Sequence, residues 1–159
     1  MPAALLERLL AARTFGQGFA TVEYAASAIV DLDLHLLEDP DGLEVIAAEA
    51  ATLERIGMPA EIVPRHRTPH FAHVFSGGGY ASGYYSYLWS EMLDADAFAA
   101  FLEVGDAFDP GVARRLRDLV YAAGNLRDPA EAYVAFRGHL PSSDPLLRER
   151  GLSPSAEEA

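Results

Sequence analysis

The residues best equipped for chemistry lie between His66 and Trp89. Tyr80, Tyr84 and Tyr87 recur at i, i+4 and i+7. On a helix beginning near Tyr80, that spacing lines three hydroxyls along one stripe, while Tyr85, Trp89 and Met92 face another way and suit a core. A phenolic O–H in a dry cleft donates to the oxyanion of a tetrahedral intermediate and stabilises charge present only in the transition state. Losing one such donor raises the barrier by about 3–4 kcal/mol. Just ahead stand Gly77, Gly78 and Gly79, whose backbone freedom costs entropy on folding. Three together suit a loop that moves or lets a ligand's backbone come close. Tyrosines at helical spacing are also ordinary core or interface residues, and spacing alone does not separate the two readings.

These side chains need helices to hold them. From Phe19, the apolar residues Val22, Ala25, Ala26, Ile29 and Val30 recur on one side of a helix running toward His35. Asp41 and Gly42 open a second helix through Leu43, Ile46, Ala50 and Leu53, closed by Gly57 and Pro59. Asp109-Pro110, Asp128-Pro129 and Asp144-Pro145 each precede a helical pattern. An Asp cap accepts from orphan N–H groups, and Pro in the first turn has no N–H to leave unpaired. Glu131 adds a capping box after Asp128, and Gly124 and Gly151 sit where left-handed end caps belong. The expected fold is all-α, with six or more helices and no alternating strand. Pro64 to Gly83 is predicted to be a long Gly-rich loop. Residues 1–152 form the predicted structured segment, and the small, acidic residues 153–159 a disordered tail.

At 159 residues the chain has the length of one typical domain, so a single core is the default. Its 24 acidic residues against 12 basic ones give a net charge of −12. That balance argues against nucleic acid and against an anionic membrane surface, both of which are bound through Lys and Arg. No apolar run approaches the ~20 residues that span a bilayer. Glu7 and Arg8 interrupt what would be the apolar core of a secretory signal. Without cysteine there is no disulfide framework, thiolate zinc site or cysteine nucleophile. These features point to the cytoplasm.

A longer pattern goes further. It runs through Phe15-Gly-Gln-Gly-Phe-Ala-Thr-Val-Glu-Tyr24, Gly57-Met-Pro-Ala-Glu-Ile-Val63, His70-Phe-Ala-His73 and Gly79-Tyr-Ala-Ser-Gly-Tyr-Tyr-Ser-Tyr-Leu-Trp-Ser-Glu91. Asp94-Ala-Asp-Ala-Phe98, Arg127-Asp-Pro129, Phe136-Arg-Gly138 and Leu146-Leu-Arg-Glu-Arg-Gly-Leu152 continue it. In order and content these landmarks resemble the C-terminal region of the M3 family of zinc oligopeptidases, nearer the bacterial peptidyl-dipeptidase branch than the thimet branch. The resemblance implies the multi-helix C-terminal part of that family's catalytic domain, with its Gly-rich loop closing over a peptide. Carried over, His73 would bind a substrate carbonyl, and Tyr80 and Tyr87 would stabilise the oxyanion. Tyr84 would line the site, and Gly77, Gly78 and Gly79 would be the hinge of the loop.

The family also implies zinc, held by an HExxH helix and a downstream glutamate, and the 159 residues contain no HExxH. His66-Arg-Thr-Pro-His70 has the histidine spacing but no Glu, and Pro69 disrupts the helix that would align the rings. A cluster of His66, His70 and His73 is a surface or substrate-contacting group more readily than an adventitious metal site. His35 and His139 stand alone at helix ends or in loops. No metal ligand is therefore expected in this chain, and zinc ligands are expected in a segment outside it. Three readings follow. The chain is the substrate-binding, oxyanion-stabilising part of such a peptidase, inactive alone and partnered by short peptides and a separate zinc-bearing part. It is a helical peptide-binding module without catalysis. Or it is a truncated remnant prone to self-association.

Overall fold

Asp109 and Asp128 start their helices as their types dictate. The Asp109 carboxylate accepts from the Val112 N–H at 2.7 Å, and that of Asp128 accepts from Ala130 and Glu131 at 2.9 and 3.2 Å. Pro110 and Pro129 follow in the first turn of each. Asp144 differs: it lies inside its helix, which Ser143 precedes, and its own N–H donates to the Ser142 hydroxyl.

The computed structural model describes residues 1–153, so the expected tail lies, from residue 154 onward, outside the described residues. The helices are α1 (Ala3–Ala12), α2 (Gln17–His35), α3 (Val45–Arg55), α4 (Ala72–Phe75), α5 (Ser86–Glu103), α6 (Pro110–Leu116), α7 (Pro129–Arg137) and α8 (Asp144–Glu149). A 3₁₀ turn spans Thr68–His70, and a π turn, Arg117–Tyr121, follows α6. The fold is all-α among the described residues. α3 starts later than Asp41 because Gly42 has φ +75° and cannot continue a right-handed helix. No helix of the described residues is long and apolar enough to cross a membrane.

Where length suggests one core, the described residues form two compact units. One unit, central in the sequence, runs from Phe15 to Trp89, and the other, flanking it in the sequence, takes Met1–Thr14 and the described residues from Ser90 onward. The flanking core joins Ala100 and Phe101 of α5, Val112 of α6 and Phe136 of α7. Beside it the buried Asp96 carboxylate accepts from the Tyr133 hydroxyl at 2.6 Å and from Arg137 Nε at 3.3 Å. The Arg137 guanidinium also grips Glu103 with two bonds of 3.0 and 2.9 Å. α7 then ends at Gly138, whose φ of +86° is a left-handed cap. α1 buries none of its residues: Leu5, Leu6, Leu9 and Leu10 are all exposed.

The central core is aromatic. Ala28 of α2, Phe71, Val74 of α4 and Tyr84 are buried together, and Tyr24 packs against them. The Tyr24 and Tyr84 rings stack at 4.8 Å, and Phe71 meets Tyr84 edge-on at 4.8 Å.

Candidate functional site: a histidine among tyrosines beside the glycine loop

The segment expected to be a plain loop is built in pieces. Glu49, buried on α3, holds its start: one oxygen accepts from the Thr68 N–H at 2.7 Å and the Thr68 hydroxyl at 2.8 Å, the other from Arg67 Nε at 3.0 Å. Thr68, Pro69 and His70 then form the 3₁₀ turn, with Pro69 in the first-turn position where a missing N–H costs nothing. His66 is drawn inward, its ring stacked on Phe71 at 4.7 Å. Phe71 and Val74 are core residues, and the single turn of α4 between them lifts His73 to the surface.

His73 collects two tyrosines. Tyr80 stacks on the imidazole at 4.6 Å and 24°. The Tyr87 hydroxyl lies 3.1 Å from His73 Nε2. All three side chains are exposed, Tyr80 at 58% and Tyr87 at 46%. The arrangement presents a phenol edge and an imidazole at one place on the surface of the unit. Such groups offer donors to a carbonyl or to the oxyanion formed from it.

Tyr84 is placed differently. It is 8% exposed and belongs to the aromatic core. Burial pushes its phenol above the ordinary tyrosine range. The stripe expected of Tyr80, Tyr84 and Tyr87 therefore does not form, because α5 begins only at Ser86. Turns occupy 78–85 instead, with the Gly83 N–H bonded to the Tyr80 carbonyl at 2.9 Å and Ser82 at φ +57°. The shift also undoes the core expectation for Tyr85 and Trp89, which are 47% and 52% exposed.

The glycines are not equivalent. Gly77 has φ +151°, a conformation side chains disfavour, whereas a Cβ at Gly78 or Gly79 would meet nothing within 4 Å. Gly83, outside the triplet, is the sterically constrained one: its Cβ would lie 3.0 Å from the Tyr80 carbonyl oxygen.

Sequence reasoning passed over the acids that hold this segment. Asp31, fully buried on α2, accepts from the Ser82 N–H at 3.1 Å and the Tyr84 N–H at 2.9 Å. The available signal was the i, i+4 series Ser27, Asp31, His35 along the buried face of α2. Of the five residues read as that helix's apolar stripe, Val22 is half exposed, and Asp31 lies deeper than any of them except Ala26.

The histidines do not fit zinc. His66 stacks on Phe71 and His73 contacts the tyrosines, and the described residues hold no group of three or more His, Cys, Asp or Glu placed for a metal ion.

Residues 1–152 match the sequence pattern of peptidase family M3, and the chain belongs to that family. A dipeptidyl carboxypeptidase of Salmonella typhimurium is 41% identical over 155 residues, covering 96% of this chain and 22% of its own. A probable cytosolic oligopeptidase A of Arabidopsis thaliana is 38% identical and the oligopeptidase A of Escherichia coli 34%, each again at 96% and 22% coverage. The chain thus spans 22% of the length of these relatives.

Proposed function

We propose that this chain is the substrate-binding and oxyanion-stabilising part of an M3 oligopeptidase acting on short peptides. The observation that carries the reading is the exposed His73–Tyr87 pair, 3.1 Å apart, with Tyr80 stacked on the same imidazole. His73 binds a peptide carbonyl, and the Tyr80 and Tyr87 hydroxyls donate to the same carbonyl oxygen, more strongly as it gains charge. Gly77, Gly78 and Gly79 let the segment carrying Tyr80 close on the peptide, and Tyr84 fixes the floor from beneath.

The zinc that family membership implies is brought by a different segment, so the chain is inactive alone. Support for a partnering polypeptide comes from α1, an apolar helix that buries none of its leucines within its own unit. Tight self-association through α1 would favour the remnant reading instead.

The test uses the purified 159-residue chain and a fluorescein-labelled octapeptide with a free C-terminus. The expected result is saturable binding, weakened by Tyr80→Phe and Tyr87→Phe, with no hydrolysis whether or not zinc is added. Chelator-sensitive cleavage by the pure chain overturns the division of labour. No binding at all overturns the peptide-site reading.

A further inference from the structure

Two residues one turn apart on α2 hold the two stems of the glycine loop. Before the loop, the His35 ring stacks on Phe75, the last residue of α4, at 5.2 Å and 11°. After the loop, the Asp31 carboxylate binds the Ser82 and Tyr84 amides. The two clamps are joined, because His35 Nδ1 lies 2.8 Å from both Asp31 Oδ1 and the Asp31 carbonyl oxygen. Both partners only accept, so Nδ1 carries the proton of this contact.

Ser82 shows the grip at work. It is the one non-glycine residue at positive φ among the described residues, and such a conformation persists only where its surroundings over-determine it. Its N–H is held by Asp31, and Tyr84, two residues on, is held by the other oxygen of the same carboxylate. Between the clamps, residues 76–80 are exposed. The glycine loop is thus exposed in its middle and held at both ends.

We propose that Asp31, braced by His35, is the positioning residue of the His73 site: it fixes the turn that joins Tyr80 to the start of α5, where Tyr87 stands, so that both tyrosines reach the imidazole. Asp31 is buried and its carboxylate bonds to the amides of Ser82 and Tyr84, so it acts through that backbone. The role in peptide binding rests on the function proposed above, whereas the positioning itself does not.

Asp31→Asn tests it in the full chain. Asparagine keeps one accepting oxygen and turns an NH₂ toward the other amide, so one of the two bonds is lost. The expected result is an unchanged helical circular dichroism spectrum with exchange of the Ser82 and Tyr84 amides faster by about tenfold or more. The ¹⁵N spectrum of His73 should lose the tautomer bias that its Tyr87 bond imposes, and octapeptide affinity should fall by a similar factor. His35→Phe, which keeps the stack on Phe75 but removes the bond to Asp31, should give a smaller change of the same sign. A folded Asp31→Asn protein with wild-type exchange and His73 tautomer overturns the proposal. Should that variant not fold, the wild-type chain decides: Ser82 and Tyr84 amides must exchange far more slowly than those of Gly78 and Gly79, and equal rates overturn it. If the wild-type chain binds no octapeptide, the proposed function fails while the exchange and tautomer readouts still judge Asp31.

Discussion

Tyr87 closes a 14-residue excursion of the chain by placing its hydroxyl 3.1 Å from His73 Nε2, and both side chains stay exposed. An exposed neutral hydrogen bond contributes about 1 kcal/mol or less to stability. Tyr87→Phe should therefore leave the denaturation midpoint nearly unchanged, since the ring keeps its contact with Tyr84 at 5.6 Å. Octapeptide affinity should nonetheless fall. Urea titration and fluorescence anisotropy on the same preparation separate the two effects, and a large stability loss with intact binding would make Tyr87 a structural residue.

Phe71 is the opposite case. It is 2% exposed, stacks on His66 and meets Tyr84 edge-on. Phe71→Ala removes the centre of the aromatic core and should destabilise the central unit by about 3–5 kcal/mol, read from denaturant unfolding followed by tyrosine fluorescence. A cost under about 1 kcal/mol would show that the ring packs more loosely than its burial implies.

The helical fold was legible because its signals are local. Asp109 and Asp128 cap as their types predict, and the spacing from Phe19 to His35 gives α2 nearly its full length. The candidate residues were legible as a group, but the geometry that brings three of them together was not. His73, Tyr80 and Tyr87 do gather, yet by a turn that Gly83 permits and Asp31 holds rather than by a helical stripe. Periodicity cannot report this, because the bonds that set the turn join residues 51 and 53 apart in sequence. Glu49 and Asp31 escaped notice for a related reason. A search for apolar faces treats an acid as solvent-facing, whereas these two are buried because loop amides satisfy them.

The flanking unit depends on a buried polar network of the same kind. Asp96 is 2% exposed and serves the Tyr133 hydroxyl and Arg137 Nε, while the Arg137 side chain is itself 5% exposed. Removing one partner of a buried pair typically costs about 3–5 kcal/mol. Arg137 keeps its two bonds to Glu103, so Asp96→Asn should fall near the lower end, about 3 kcal/mol by chemical denaturation. A variant as stable as the parent would mean that an amide serves Tyr133 and Arg137 as well as the carboxylate does.

Alkaline pH should unfold the chain through two phenols. Burial pushes the Tyr84 hydroxyl up, and burial with the bond to Asp96 does the same to Tyr133. In the unfolded chain a tyrosine ionises near pH of about 10, so above that point the unfolded state sheds protons that the folded state retains. The contribution of these residues to stability is thus complete below about pH 10 and declines as pH rises toward their folded values. Absorbance at 295 nm should show the Tyr84 and Tyr133 phenols ionising later in the native protein than in denaturant. Tyr84→Phe and Tyr133→Phe should each delete one late component. If neither substitution removes a late component from the native titration, the upward shift of both phenols is disproved.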